Sequence, residues 1–185
     1  MMPNWSLSIH DQIFAETIVG IAHGIRINAR TRERPVNLMF NFVKNLDAVA
    51  PCARITCDPL LVASPSLLDV HDTAYWIEGS IGQTRNKNDL QFGYRFARIE
   101  QDALLAAFNE SDLRAPTNVR QHAFFGQWQV MKNTTASYTL WVGRTLDPDL
   151  VAAGGQTPSP NPNGLLPGEK EPYLKRMQFD LIYKF

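Results

Sequence analysis

The chain has 185 residues and no formal net charge, with 18 basic and 18 acidic side chains. This is the length of one ordinary domain, and the charge balance argues against a nucleic-acid-binding protein, which usually carries a basic excess. Mean hydropathy is −0.22, and no apolar run approaches the ~18 residues of a transmembrane helix.

Alternation of apolar and polar side chains predicts strands along most of the chain. In residues 90–98, Leu90, Phe92, Tyr94 and Phe96 share one parity, and a period of two indicates a strand with one apolar face. The last ten residues alternate in the same way, apart from Ile182, and end on an aromatic residue. The segments with this pattern are 18–30, 35–44, 73–83, 90–98, 119–130, 134–142 and 176–185, with an eighth possible at 5–9.

The connections between these segments alternate in length. Residues 31–33, 84–88 and 131–133 are short connections, whereas 45–72, 99–118 and 145–172 are long. Outer-membrane barrels combine short periplasmic turns with long outer loops, and a β-sandwich gives no reason to sort its loops in this way. The sequence therefore predicts an all-β fold, an antiparallel transmembrane β-barrel with about seven to eight strands in this chain.

Residues 18–185 form the predicted barrel segment, with residues 1–17 as an N-terminal segment that contains the possible extra strand. Residues 102–113 are the exception to the alternating pattern, because they are rich in good helix formers. This segment is compatible with a short helix in an outer loop or with a strand that extends beyond the membrane.

The two parities of the strands predict two kinds of residue. Side chains of the polar parity are expected to line a lumen, where charged groups bias which ions pass. These are Arg26, Asn28, Asn37, Asn41, Glu78, Gln91, Arg95, Gln121, Gln127, Gln129, Thr139, Gln178, Asp180 and Lys184. The aromatic residues expected at the membrane interfaces are Tyr75, Tyr94, Tyr138, Tyr183 and Phe185.

Cys52 and Cys57 are the two cysteines of the chain, in a stretch that resembles a loop. They are expected either to form a small disulfide loop in an exported protein or to remain free thiols in a cytosolic one. We expect no metal site, because no second cysteine pair or histidine pair lies nearby. No catalytic or phosphate-binding motif is present, so the sequence predicts neither an enzyme nor a cofactor.

Several of these segments together resemble a family of bacterial porins, over roughly residues 18–185. The matching blocks are RPVNLMFNFVKN (34–45), AYWIEGSIG (74–82), DLQFGYRFARIEQDA (89–103), AFNESD (107–112), TNVRQH (117–122) and LKRMQFDLIYKF (174–185). In that family the blocks form the C-terminal part of a longer barrel. The resemblance implies a bacterial outer-membrane channel for passive diffusion of small hydrophilic solutes or ions.

The resemblance also implies the partners. They are outer-membrane lipid and the barrel-assembly machinery bound through the terminal strand at residues 177–185, and a homo-oligomer stays an open alternative. The chain does not begin with the basic and apolar regions of a signal peptide. We therefore expect a C-terminal portion of a longer precursor, and the export of this chain by itself stays an open question.

Three alternatives remain open at this level. A complete eight-stranded barrel would have an interior filled with side chains, and would be structural or adhesive. A truncated remnant of a porin would have unpaired strand edges, which lipid does not tolerate, and no activity. A soluble β-sandwich or lipocalin-like binding protein would pack the apolar parity into a core.

Overall fold

The computed structural model describes residues 4–14, 20–30, 35–54, 65–103, 113, 117–151 and 169–184, and it describes side chains from residue 35 onward. The described part is built almost entirely from strands. These are β1 (Asn4–Phe14), β2 (Gly20–Arg30), β3 (Val36–Asn45), β4 (Thr73–Gly82), β5 (Leu90–Ile99), β6 (Val119–Met131), β7 (Thr134–Thr145) and β8 (Leu174–Tyr183). A single α-helical turn, α1 (Pro51–Arg54), and 3₁₀ turns at Pro65–Leu67 and Pro148–Val151 lie between strands.

All the strands belong to one antiparallel sheet in which each strand pairs with its neighbours in sequence, in the order β1 to β8. The prediction of an all-β, antiparallel fold is confirmed. Within the described ranges β1 pairs only with β2 and β8 only with β7, so the sheet is open. The helix-forming segment at 102–113 lies mostly outside the described residues.

The connections leave the sheet from two ends, because neighbouring strands are antiparallel. The three long connections, between β3 and β4, β5 and β6, and β7 and β8, leave from one end, which we call the long-loop end. β1 ends and β2 begins at this same end, but only residues 15–19 separate them in the sequence. The other connections leave from the opposite, short-turn end.

The turns at the short-turn end are stabilised by local hydrogen bonds. Between β4 and β5, one carboxylate oxygen of Asp89 accepts hydrogen bonds from the backbone N–H groups of Arg85 and Asn86, at 3.1 and 2.8 Å. Asn88 adopts a positive φ of 69°, which asparagine tolerates better than most residues. Between β6 and β7 the register shifts between Gln129 and Met131. These features fix the pairing of the strands on either side.

The register divides the side chains between two faces, because directly paired residues point to the same side of a sheet. The apolar face carries Val36, Leu38, Phe40, Phe42, Tyr75, Ile77, Ile81, Leu90, Phe92, Tyr94, Phe96, Phe124, Trp128, Tyr138, Leu140, Val142, Met177, Phe179, Leu181 and Tyr183. The polar face carries Asn37, Asn41, Trp76, Glu78, Ser80, Gln91, Arg95, Gln121, Gln127, Gln129, Ser137, Thr139, Trp141, Arg176, Gln178 and Asp180.

Burial is inverted between these faces relative to a sheet packed in water. On the apolar face, Phe92 is 57% exposed and Phe124 is 47% exposed. On the polar face, Gln121 is only 5% exposed and Ser80 only 9%. The apolar face is therefore the one presented to the surroundings.

The small hydrophobic core lies on the polar side, at the long-loop end. Ala74, Ile99 and Val119 are buried there together with Ala103 of the connection between β5 and β6. Leu113, from the same connection, packs against this cluster. Ala103 and Leu113 thus place two residues of this connection against one end of the polar face.

Gly93 provides space on the polar face for the ring of Phe125, its partner across β5 and β6. A Cβ at Gly93 would overlap the Phe125 ring. We expect Gly93→Ala to lower the free energy of unfolding by about 1–3 kcal/mol, the usual cost of overpacking, as measured by denaturant titration. Gly126→Ala is the control, because its Cβ would lie 3.3 Å from the exposed Phe92 ring, which can move. Equal losses of unfolding free energy in both variants would contradict the conclusion that the Phe125 ring needs the space at Gly93.

Candidate functional site on the polar face

The structure places the predicted lumen residues of β3 to β8 together on the polar face. Those with described side chains within these strands are Asn37, Asn41, Glu78, Gln91, Arg95, Gln121, Gln127, Gln129, Thr139, Gln178 and Asp180. The backbone register pairs Asn28 with Asn37 and Arg26 with Met39, but the side chains on β2 lie outside the description. Lys184 follows the end of β8, where its backbone N–H donates to the Asn133 carbonyl oxygen at 2.9 Å.

An ion pair between β4 and β5 lies on this face. Glu78 and Arg95 are direct cross-strand partners, and Arg95 Nε lies 2.9 Å from Glu78 Oε2. Both side chains are about a quarter exposed, at 23% and 27%. The Arg95 guanidinium also lies 4.5 Å from the centre of the Trp76 ring. The pair is held in one geometry by a hydrogen bond and by a cation–π contact, which attracts a cation to an aromatic face.

A second arginine–tryptophan contact lies on β7 and β8. Trp141 and Arg176 are cross-strand partners, and the guanidinium lies 4.2 Å from the ring centre. Both residues line a cavity of ≈ 330 Å³, together with Gln121 and Leu113. The cavity is therefore bounded by the sheet and by a residue of the connection between β5 and β6.

Asp180 supplies a negative charge on β8. Its carboxylate accepts hydrogen bonds from Gln178 Nε2 at 2.9 and 3.0 Å and from the Ser137 hydroxyl at 3.4 Å. Carboxylate, guanidinium and amide groups thus share this face. Such a surface can donate and accept hydrogen bonds, and it carries charges of both signs.

Gln129 is on the polar face, but its contacts are with the turn that follows it. Its side-chain amide donates to the carbonyl oxygens of Met131 at 2.7 Å and Lys132 at 3.2 Å, and its oxygen accepts from the Thr135 hydroxyl at 2.9 Å. The residue is buried. Gln129 therefore supplies hydrogen bonds to the backbone carbonyl groups of the turn between β6 and β7.

The predicted interface aromatics with described side chains all lie on the apolar face. Tyr75 is near the long-loop end and Tyr183 is at the short-turn end. Tyr94 is in the middle of β5, where its hydroxyl group lies 2.7 Å from Nδ1 of His122. A buried or lipid-facing tyrosine hydroxyl needs such a partner. Phe185 lies outside the described residues.

Sequence reasoning missed three residues that the structure brings to the polar site and one on the other face. Trp76, Trp141 and Arg176 have the polar parity. That parity is the sequence signal by which they could have been included among the residues of the polar site. Trp128, on the apolar face near the short-turn end, is 45% exposed. It is a further candidate for an interface aromatic, since tryptophan is enriched at membrane surfaces.

Cys52 is disulfide-bonded. Cys57 lies outside the described residues. The sequence left open either a disulfide or free thiols, and Cys52 is in the disulfide state. Across the described side chains, no group of three or more histidine, cysteine, aspartate and glutamate residues is arranged to hold a metal ion.

Comparison of the chain with protein-family models, with curated proteins and with solved structures finds no match. None of the helices in the described ranges has the length and apolar character needed to cross a membrane.

Proposed function

We propose that this chain forms the wall of a bacterial outer-membrane, porin-type channel for passive diffusion of small hydrophilic solutes or ions. In this proposal the sheet is part of a transmembrane β-barrel, the apolar face contacts lipid and the polar face lines the lumen. The resemblance to the porin family supports the class of function, and the channel needs neither a cofactor nor covalent chemistry.

The observation that carries the proposal is the inverted burial of the sheet. Phe92, Phe124 and Trp128 come from the neighbouring strands β5 and β6 and are about half exposed. On the same face, Met177 and Phe179 of the edge strand β8 are even more exposed. Soluble monomers rarely expose apolar patches larger than a few hundred Å². Contact with lipid removes the cost of exposing apolar side chains to water, and a membrane barrel requires such an outward-facing apolar band.

The soluble alternatives fit this pattern less well. A β-sandwich packs the apolar sides of its sheets against each other, and a lipocalin-like barrel turns apolar side chains toward its ligand. Here the polar side chains of Gln121 and Ser80 are buried, while the apolar side is exposed. Polar groups buried on the inner side favour a lumen that contains water and hydrogen-bonding side chains.

The mechanism follows from the polar face. Solutes would move down their own gradients through a water-filled lumen, selected by size and by the charges of the wall. Glu78 and Arg95 neutralise each other at 2.9 Å, so they impose little net field on a passing ion. The core around Ala103 and Leu113 lies at one end of this face, where these two residues would narrow the lumen.

Removing either charge of the Glu78–Arg95 pair should change the ion selectivity. Removal of the positive charge and removal of the negative charge should act in opposite directions. A unit charge 4 Å away in water is worth about 1 kcal/mol, or roughly a fivefold change in local ion concentration. Because the change is in opposite directions for cations and anions, we expect Arg95→Ala to raise the cation-to-anion permeability ratio by up to about 25-fold, and Glu78→Gln to lower it. The measurement is the reversal potential in a planar bilayer under a salt gradient.

The double variant Glu78→Gln/Arg95→Gln is the control, because it removes both charges and should keep the original ratio. Shifts of the same sign for the two single variants would exclude these residues from the conducting path.

The proposal itself is tested by single-channel conductance after refolding in detergent, with heat-modifiable gel mobility as the check on folding. Discrete, stable conductance steps are the expected result. A folded but silent protein would favour the small eight-stranded barrel with a filled interior. Aggregation in every detergent would favour a remnant of a longer porin, and a folded monomer without detergent would favour a soluble binding protein.

A further inference from the structure

Three arginines form a row across the apolar face near the long-loop end. Arg98 pairs directly with Arg120, and Arg120 pairs directly with Arg144, on β5, β6 and β7. We call this the arginine row. Each member continues the apolar parity of its strand. Within β3 to β8 the other charged residues of this face are Lys44 and Lys175, at the same end.

Such a row has an energetic cost in the isolated chain. Like charges directly opposite one another on neighbouring strands destabilise a sheet. Arg98 is compensated, because its guanidinium lies 2.9 Å from the Glu100 carboxylate. Among the described residues, Arg120 and Arg144 have no acidic partner, and the Nε atom of each is buried without a hydrogen bond.

Aromatic rings fix the two uncompensated guanidinium groups in position. Arg120 lies 5.6 Å from the ring centre of Phe96, and Arg144 lies 4.7 Å from that of Tyr173. A guanidinium stacked on a ring still has its in-plane N–H groups available for an anion. The contacts therefore orient both arginines and leave donors for a ligand.

The charged groups around the row do not neutralise it. Lys175 of β8 adds a positive charge beside Val142, one pair along from Arg144. Lys44 is paired with Asp72 at 3.3 Å. Glu171, whose carboxylate accepts the backbone N–H of Thr145 at 3.1 Å, places one negative charge near Arg144, against the positive charges of Arg120, Arg144 and Lys175. The local excess at Arg120 and Arg144 is basic.

The surface beyond the row on the same face is largely apolar. The next pairs along β5 to β7 join Phe96, His122 and Val142, and the pairs after those bring Tyr94, Phe124 and Leu140 together. Phe124 is 47% exposed. A ligand for the whole surface needs an anionic group for the arginines and an apolar chain for these residues. Arginine binds phosphate through paired hydrogen bonds, and a phosphate-bearing lipid has both parts.

We propose that the arginine row binds the phosphate groups of anionic lipids, those whose head group carries no compensating cation, in the membrane leaflet at the long-loop end. This inference rests on the proposed membrane location and adds a lipid class to it. The phosphate relieves the repulsion between Arg120 and Arg144, and the acyl chains lie along the apolar face below.

The test compares the retention of phosphatidic acid and of phosphatidylcholine by the refolded protein in mixed vesicles, by mass spectrometry of the lipids that remain after delipidation. Wild type should retain phosphatidic acid preferentially. Arg120→Gln/Arg144→Gln should lower that preference by about thirtyfold, the effect of two basic residues near an anionic surface. Arg85→Gln/Lys132→Gln, which removes two exposed charges at the short-turn end, should leave it unchanged.

The outcomes separate this inference from the proposed function. Equal retention of the two lipids by wild type overturns the lipid site whether or not the variants fold. Loss of the preference on adding inorganic phosphate would show a site for the free ion and would also overturn it. A protein that does not insert into either vesicle overturns the membrane location instead.

Discussion

Replacing Phe124 by lysine is expected to lower the free energy of unfolding in lipid by about 2–4 kcal/mol, the cost of a basic side chain at the bilayer midplane. Phe124 lies in the middle of β6 on the apolar face, and its ring packs 5.0 Å from that of Tyr94. In lipid, the lysine would have to bring its ammonium group to a distant interface. The measurement is reversible unfolding in guanidinium chloride from lipid vesicles.

Gln127→Lys is the matched control, because Gln127 lies on the same strand but on the polar face. This variant should change the free energy of unfolding by no more than about 0.5 kcal/mol, as most tolerated substitutions do. The reverse order of effects, with Gln127→Lys the more damaging, would mean that the apolar face is in water. It would thereby remove the main support for a channel.

Replacing Ala103 by aspartate is expected to release the connection between β5 and β6 from the sheet. Ala103 is only 1% exposed and is packed in the cluster with Ala74, Ile99 and Val119. A carboxylate there would be an uncompensated buried charge, which costs about 3–5 kcal/mol. We expect the connection to detach or the sheet to unfold, as measured by limited proteolysis and by denaturant titration.

Ala53→Asp is the control for this variant, because Ala53 is an exposed residue of α1. It should leave both measurements unchanged. In a conducting protein, Ala103→Asp should also increase the single-channel conductance, because Ala103 and Leu113 would no longer pack at one end of the polar face. Unchanged proteolysis and stability would show that the buried cluster does not hold the connection.

The strands could be predicted from the sequence because each has a strong alternation of its own. The pattern of residues 90–98 predicted β5 to within one residue of its observed bounds, Leu90–Ile99. The strand predicted at 176–185 begins two residues earlier in the structure, at Leu174. The parity also assigned residues such as Glu78 and Arg95 to one face, since the side of a side chain depends only on its position along the strand.

The contacts between strands could not be predicted in the same way, because they depend on register. A slip of one residue moves every side chain of a strand to the other face, and the shift between Gln129 and Met131 is not visible in the alternation. The stacking of Arg95 on Trp76 and the alignment of Arg98, Arg120 and Arg144 follow only from the pairing. The packing of Ala103 and Leu113 depends on a connection whose sequence alone suggested a helix.

The open sheet has a consequence for assembly. Its described strands are even in number and alternate in direction, so β1 and β8 run in opposite directions. A seam between these two edges would therefore be antiparallel, whether the sheet closed on itself or one copy joined the next. Repeated joining of β8 to β1 of the next copy is a head-to-tail contact, which gives a ring when the rotation closes and a fibre when it does not. Curvature of the sheet thus decides between a closed pore and an endless ribbon.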